Sequence, residues 1–156
     1  MKFRILWIGS NADTEFREGI ERYRERIRHF FPIEITEVTP EKGRQKKSDA
    51  EIRQAESARL IEALPPQGTV VVLDERGMQM DSLKFARWLE ASTIHNPHGV
   101  TFVLGGDLGL DDQVRSRAAM TLSLSAMTLP HQIARLVLFE QIYRACTLIR
   151  NIRYHK

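Results

Sequence analysis

The chain has 156 residues, 42% hydrophobic and 28% charged, with a net charge of +3, the balance of an ordinary soluble globular protein. It has no apolar run of about 18 residues, which excludes a spanning helix. Its single cysteine, Cys146, excludes an intramolecular disulfide and a thiolate zinc cluster. The length predicts one domain over residues 1–156, and the cysteine usage predicts a reducing, cytoplasmic setting with Cys146 as a buried core thiol.

Residues 2–9 (KFRILWIG) are too short an apolar run for a secretory signal and predict a first strand ending in Gly9-Ser10-Asn11. Phe16, Ile20, Tyr23, Ile27 and Phe30 then recur at helical spacing. On the opposite face Arg22, Arg24, Arg26 and Arg28 are mostly offset by Glu21 and Glu25, the pattern of a solvated surface. Residues 33–38 (IEITEV) predict a second strand, and the loop 42–47 (KGRQKK) carries four cations. Ser48 opens an S-D-A-E capping box with Glu51, and its helix should stop at Pro65-Pro66. Residues 69–75 (TVVVLDE) form a β-branched run typical of a strand buried on both faces, with Arg76-Gly77 as the turn after it. Asp81 or Ser82 should cap a helix through Leu83, Ala86, Trp88 and Leu89, and residues 100–106 (VTFVLGG) predict another buried strand. A short helix over 111–120, period-2 alternation over 122–127 and a long helix over 131–151 complete the chain. This alternation predicts an α/β fold, a mostly parallel sheet flanked by helices on both faces.

In such sheets ligands bind beyond the carboxyl ends of strands. Three ends stand out: 73–77, the GGDLG loop 105–109, and 122–132. GGDLG matches neither the dinucleotide fingerprint nor a P-loop, so it is either a ligand-approach loop or a tight turn. Small Ser123, Ser125 and Ala126 with Thr128 suit a backbone collar around an adenosine-like ligand, or an ordinary strand-to-helix connection. Glu140 and Arg144 are spaced as a surface ion pair, and the last helix is apolar enough to offer a partner surface. His131 and His155 are candidate proton acceptors or simple polar contacts. Residues 144–156 carry Arg144, Arg150, Arg153 and Lys156 with no acid, a pattern that fits phosphate contacts or a solvated tail. There is no metal-ligand spacing and no Ser-His-Asp arrangement to support.

FVLGGDLGL (102–110), LSLSAMTLPHQIARLVLFEQIYRA (122–145) and the terminal YHK, together with the KGRQKK loop and the overall length, resemble the ribosomal RNA large subunit methyltransferase H family of SPOUT-class methyltransferases. The resemblance implies a C-terminal deep trefoil knot, a homodimer, and methyl transfer from S-adenosylmethionine to N3 of a pseudouridine in helix 69 of 23S rRNA on assembled 70S ribosomes. It implies no metal and no membrane. It implies a cofactor pocket of Leu73, Gly105, Gly106, Leu124, Ser125, Ala126, Met127, Thr128 and Leu129. Glu140, Arg144 and His155 match the polar positions near the substrate, and Arg153, Tyr154 and Lys156 match an RNA-binding tail. Three positions depart from the family pattern. The tail lacks the proline common before Tyr-His, Asp107 adds a charge near the cofactor, and Met78 stands where a lysine is common. Alternatives are a tRNA substrate, a ribosome-associated RNA-binding protein without catalysis, and a nucleotide-binding protein unrelated to RNA.

Overall fold

Alternation of apolar side chains along the strands fixes how this chain layers. In the computed structural model, which describes residues 2–10, 15–42 and 44–154, β1 (Phe3–Ile8) sends Phe3, Ile5 and Trp7 to one face and Leu6 and Ile8 to the other. The first face is covered by α1 (Arg17–Arg28), α3 (Ser82–His95) and α5 (His131–Ile149). The second is covered by α2 (Asp49–Ala63) and the single-turn α4 (Asp112–Arg115). The remaining strands are β2 (Ile33–Val38), β3 (Thr69–Gln79), β4 (Val100–Leu104) and β5 (Met120–Ser123). All pair in parallel in the order β2-β1-β4-β3-β5. The expected α/β architecture is therefore present, and among the described residues no helix is long and apolar enough to cross a membrane.

Local signals held where the chemistry is local. Ser48 Oγ accepts from the Glu51 amide at 3.3 Å while Glu51 accepts from the Ser48 amide at 2.8 Å, completing the capping box of α2. Asp81 caps α3 by accepting from the Lys84 amide at 2.7 Å. Cys146 is buried, and that burial pushes its thiol up to about 12. The apolar surface of α5 is used largely inside the chain, where Leu138, Phe139, Ile142 and Ala145 join the core shared with α1 and α3.

Four expectations are corrected. Arg76-Gly77 does not end the third strand, because β3 runs on to Gln79. Leu73 and Met78 both take Leu122 as partner, so residues 74–77 form an irregularity between two stretches of pairing. β4 stops at Leu104, before the glycines, and the helix expected over 111–120 is only the turn α4. β5 starts at Met120 and ends at Ser123, so the alternation past it lies on a loop. Within the basic loop Lys47 pairs with Glu41, which also takes Arg59 of α2.

Candidate active site

The three strand ends singled out by sequence meet around one cavity of about 720 Å³. β3 and β4 reach it in register, Leu73 beside Leu104, and Leu73 also pairs with Leu122 of β5. Leu73, Gly105, Gly106, Leu124, Ser125, Met127, Thr128 and Leu129 line it, as do Leu108, Leu110 and the start of α5 at His131 and Ala134. Ala126 is exposed on the same loop and is not among the lining residues. The loop holds its own shape: the Ser123 hydroxyl donates to the Ser125 carbonyl at 2.8 Å, and the Met127 amide donates to Ser125 Oγ at 2.9 Å.

Gly105 could carry no side chain, since a Cβ there would stand 2.8 Å from the Gly109 backbone. The GGDLG loop is folded on itself, with the Gly109 amide donating to the Gly106 carbonyl at 3.0 Å. It is thus both a tight turn and a cavity wall.

Polar groups missed by sequence reading also line this space. The bulge of β3 delivers Asp74, Glu75 and Arg76 to it, α4 adds Arg115 and α2 adds Arg53. Asp74 accepts from the Arg76 side chain at 3.0 Å and from Arg115 at 2.7 Å. Those contacts, Arg76 first, hold its carboxyl well below the usual carboxylate range. Thr128 donates to Glu75 at 2.8 Å, tying the β5 loop to the β3 bulge. Asp107 lies 3.0 Å from His131 Nδ1, joining the glycine loop to the first turn of α5. One turn on, buried Arg135 donates to the Ile8 carbonyl at 2.6 Å and lies 4.6 Å over the Trp7 ring. Burial lowers that guanidinium to about 10. The only local signal for Arg135 was an arginine in an apolar helix; its partners are more than 120 residues away in sequence.

Glu140 and Arg144 do meet, at 2.6 Å, but they lie farther along α5 and do not line this cavity. Gln141 donates to the other Glu140 oxygen at 2.6 Å and lines a second cavity of about 350 Å³, which shares Leu122 and Leu124 with the first. Arg144 stacks 4.8 Å over the Tyr154 ring, and Tyr154 packs edge-on against Tyr143 at 4.8 Å. Burial and the nearby Tyr23 hydroxyl push the Tyr154 phenol up to about 12. Arg153 is exposed beside it. Met78 is exposed on β3. His155 and Lys156 lie outside the described residues.

A cavity walled by leucines and glycine backbone, with five carboxylates and three arginines on its rim, offers apolar cover for a base and polar partners for hydroxyls. Comparisons with known proteins give the family. The family model described as predicted SPOUT methyltransferase matches residues 1–155. The chain is 43% identical over 155 residues to the ribosomal RNA large subunit methyltransferase H of Trichlorobacter lovleyi, covering 99% of each. It is 42% identical over 156 residues to the protein of the same name from Gemmatimonas aurantiaca, covering 100% of each. The fold resembles that of a probable methylase family protein from Haemophilus influenzae, with a TM-score of 0.58 at 15% identity over 99% of this chain and 70% of that one. It also resembles a probable methyltransferase from Bordetella pertussis, with a TM-score of 0.59 at 16% identity over 93% and 96%. The chain belongs to the SPOUT methyltransferase family and, within it, to the family of its relatives named ribosomal RNA large subunit methyltransferase H.

Proposed function

We propose that this protein uses S-adenosylmethionine to methylate N3 of a pseudouridine in helix 69 of 23S rRNA, acting on assembled 70S ribosomes in the cytoplasm. The observation that carries this reading is the 43% identity, over nearly the whole chain, to a relative named ribosomal RNA large subunit methyltransferase H. The reading takes residues 1–156 as one SPOUT domain with a C-terminal trefoil knot, working as a homodimer.

The cofactor would be held by Leu73, Gly105, Gly106 and the loop 124–129, and once bound it supplies a methyl group already activated by a sulfonium. No metal or covalent intermediate is needed on this route. The chain's work is to align the base nitrogen with that methyl and to manage one proton. Leu73, Leu124 and Leu129 exclude water, and Glu75 and Asp107 set a negative field that favours a cationic ligand. Arg144, held toward Glu140 with its guanidinium charge reinforced by that contact, stabilises the anion that develops as N3 loses its proton. The Glu140 carboxylate or His155 takes that proton. Because Glu140 and Arg144 lie outside the cofactor cavity of their own chain, the homodimer reading sets them beside the cavity of the partner. Arg153, Tyr154 and Lys156 engage the RNA.

The test is methyl transfer from radiolabelled S-adenosylmethionine to 70S ribosomes, free 50S subunits, naked rRNA and bulk tRNA. Label confined to the helix 69 hairpin of 70S ribosomes supports the reading. Label on tRNA moves the substrate, and no label with no cofactor binding overturns the enzyme reading.

A further inference from the structure

Among the described residues, every carboxylate and arginine on the rim of the first cavity has a partner except one. Asp74 takes both Arg76 and Arg115, and Arg115 also donates to Asp112 at 3.0 Å. Asp111 accepts from the Gln113 and Val114 amides as the cap of α4. Glu75 accepts from Thr128, and Asp107 meets His131. Arg53 is half-buried on the same rim, and among the described residues it has no hydrogen-bond or ion-pair partner.

Helix geometry accounts for its place. Residues three and four apart on a helix share a face, and the turn of α2 after Arg53 is turned onto the loop 105–111. Glu56 is buried there, its Oε2 3.2 Å from where a Cβ on Gly106 would stand. Ser57, also buried, accepts from the Asp111 amide at 3.1 Å. Arg53 lies one turn before both and lines the cavity from the same face of α2.

S-Adenosylmethionine carries a sulfonium and an ammonium, which acids can meet, and one carboxylate, which calls for a cation. Arg76 and Arg115 already serve acids of the protein. A guanidinium binds a carboxylate through two parallel N–H donors, and partial burial spares such a contact much of the screening that weakens a surface pair. We infer that Arg53 receives the carboxylate at the amino-acid end of the cofactor and makes the site select ligands that keep it. The inference rests on the cofactor reading above and adds α2 to the ligand's contacts.

Titration calorimetry tests it with S-adenosylmethionine, decarboxylated S-adenosylmethionine and 5′-methylthioadenosine, which lacks the amino-acid end altogether. In wild type, loss of the carboxylate should weaken binding about tenfold, the size of one charge-assisted contact. In Arg53→Gln the ratio between the first two ligands should fall to about one, as in a double-mutant cycle whose interaction is gone. 5′-Methylthioadenosine should bind both proteins alike, which separates the effect from misfolding. Arg59→Gln, also on α2 but paired with Glu41 and outside the cavity lining, should keep the wild-type ratio. An Arg53→Gln protein that keeps that ratio overturns the assignment. Equal weakening of all three ligands overturns it too, since Arg53 would then only shape the cavity. So does unchanged cofactor affinity with weaker binding to 70S ribosomes, which would make Arg53 a phosphate contact. Wild-type protein that binds none of the three ligands would instead refute the cofactor reading itself.

Discussion

Gly77 sits where β3 runs past β5 so closely that a methyl group does not fit, and Gly77→Ala tests that closeness. A Cβ there would stand 2.7 Å from the Leu122 carbonyl carbon and the Thr121 oxygen, and 2.8 Å from the Ser123 nitrogen. Ordinary contact is about 3.5 Å, so the strands must part by roughly 0.8 Å. The atoms in the way are backbone and cannot swing aside. Gly77 does not have a positive φ, so alanine meets no dihedral penalty and gains about 0.5–1 kcal/mol from a less flexible unfolded chain. Overpacking of this kind costs about 1–3 kcal/mol, and with three backbone atoms involved the upper end applies. The net is a loss of about 2 kcal/mol, or a fall in Tm of about 4–8 °C for a chain of this size. The shift also passes straight into the loop 124–129, so affinity for S-adenosylmethionine should fall with stability. Differential scanning calorimetry and titration calorimetry read the two effects. Gly109→Ala is the contrast: its φ is +72° with nothing within 4 Å of a Cβ, so it should lose about 1 kcal/mol from backbone strain alone. A Gly77→Ala protein melting within about 1 °C of wild type would refute the steric argument.

Ser48→Ala removes the α2 capping box and should cost about 1 kcal/mol, read as a lower urea midpoint with an unchanged slope. Asp74 has a carboxyl depressed in the fold from its ordinary 3.8 by Arg76 and Arg115. Its contribution is therefore complete above that value and lost as pH falls below it; Asp74→Asn should flatten this acid arm when denaturation midpoints at pH 6 and pH 3 are compared. With its thiol pushed up to about 12, Cys146 should stay unreactive toward a disulfide reagent at pH 8 in native protein and react at once in guanidinium. Asp107→Asn should weaken S-adenosylmethionine more than S-adenosylhomocysteine in competitive binding, because only the former carries the sulfonium charge.

What could be read from sequence divides along the range of the interactions. The α2 cap, the α3 cap and the β-branched core strands rest on neighbours within a few residues, and they were legible. Arg76-Gly77 reads locally as a turn, yet the glycine is there because β5 passes it, and β5 lies more than 40 residues further on. The same limit hid the Asp74–Arg115 pair and the contacts of Arg135, which topology sets across 41 and more than 120 residues. Counting acids against bases along α1 found a balanced face, whereas the actual spacing gives Glu21 and Glu25 to Arg24 and Arg28 and leaves Arg26 to Tyr23 and Tyr143. The cavity itself was foreseeable from the rule that parallel sheets bind ligands at strand ends. The placement of Glu140 and Arg144 away from it was not, because helix periodicity does not say which end of a 19-residue helix reaches a pocket.

The strand order has a consequence for how the chain is made. β1 and β3 leave the ribosome early, but neither touches the other; β4, emerging later, is the strand that joins them. Until residue 100 appears, two apolar strands stand with open edges, the condition in which nascent chains associate wrongly. β5 and α5 then arrive last and close both the core and the ligand cavity. The cavity is therefore complete only once β5, the loop after it and the start of α5 have all been made, and slow, non-local pairing sets the delay.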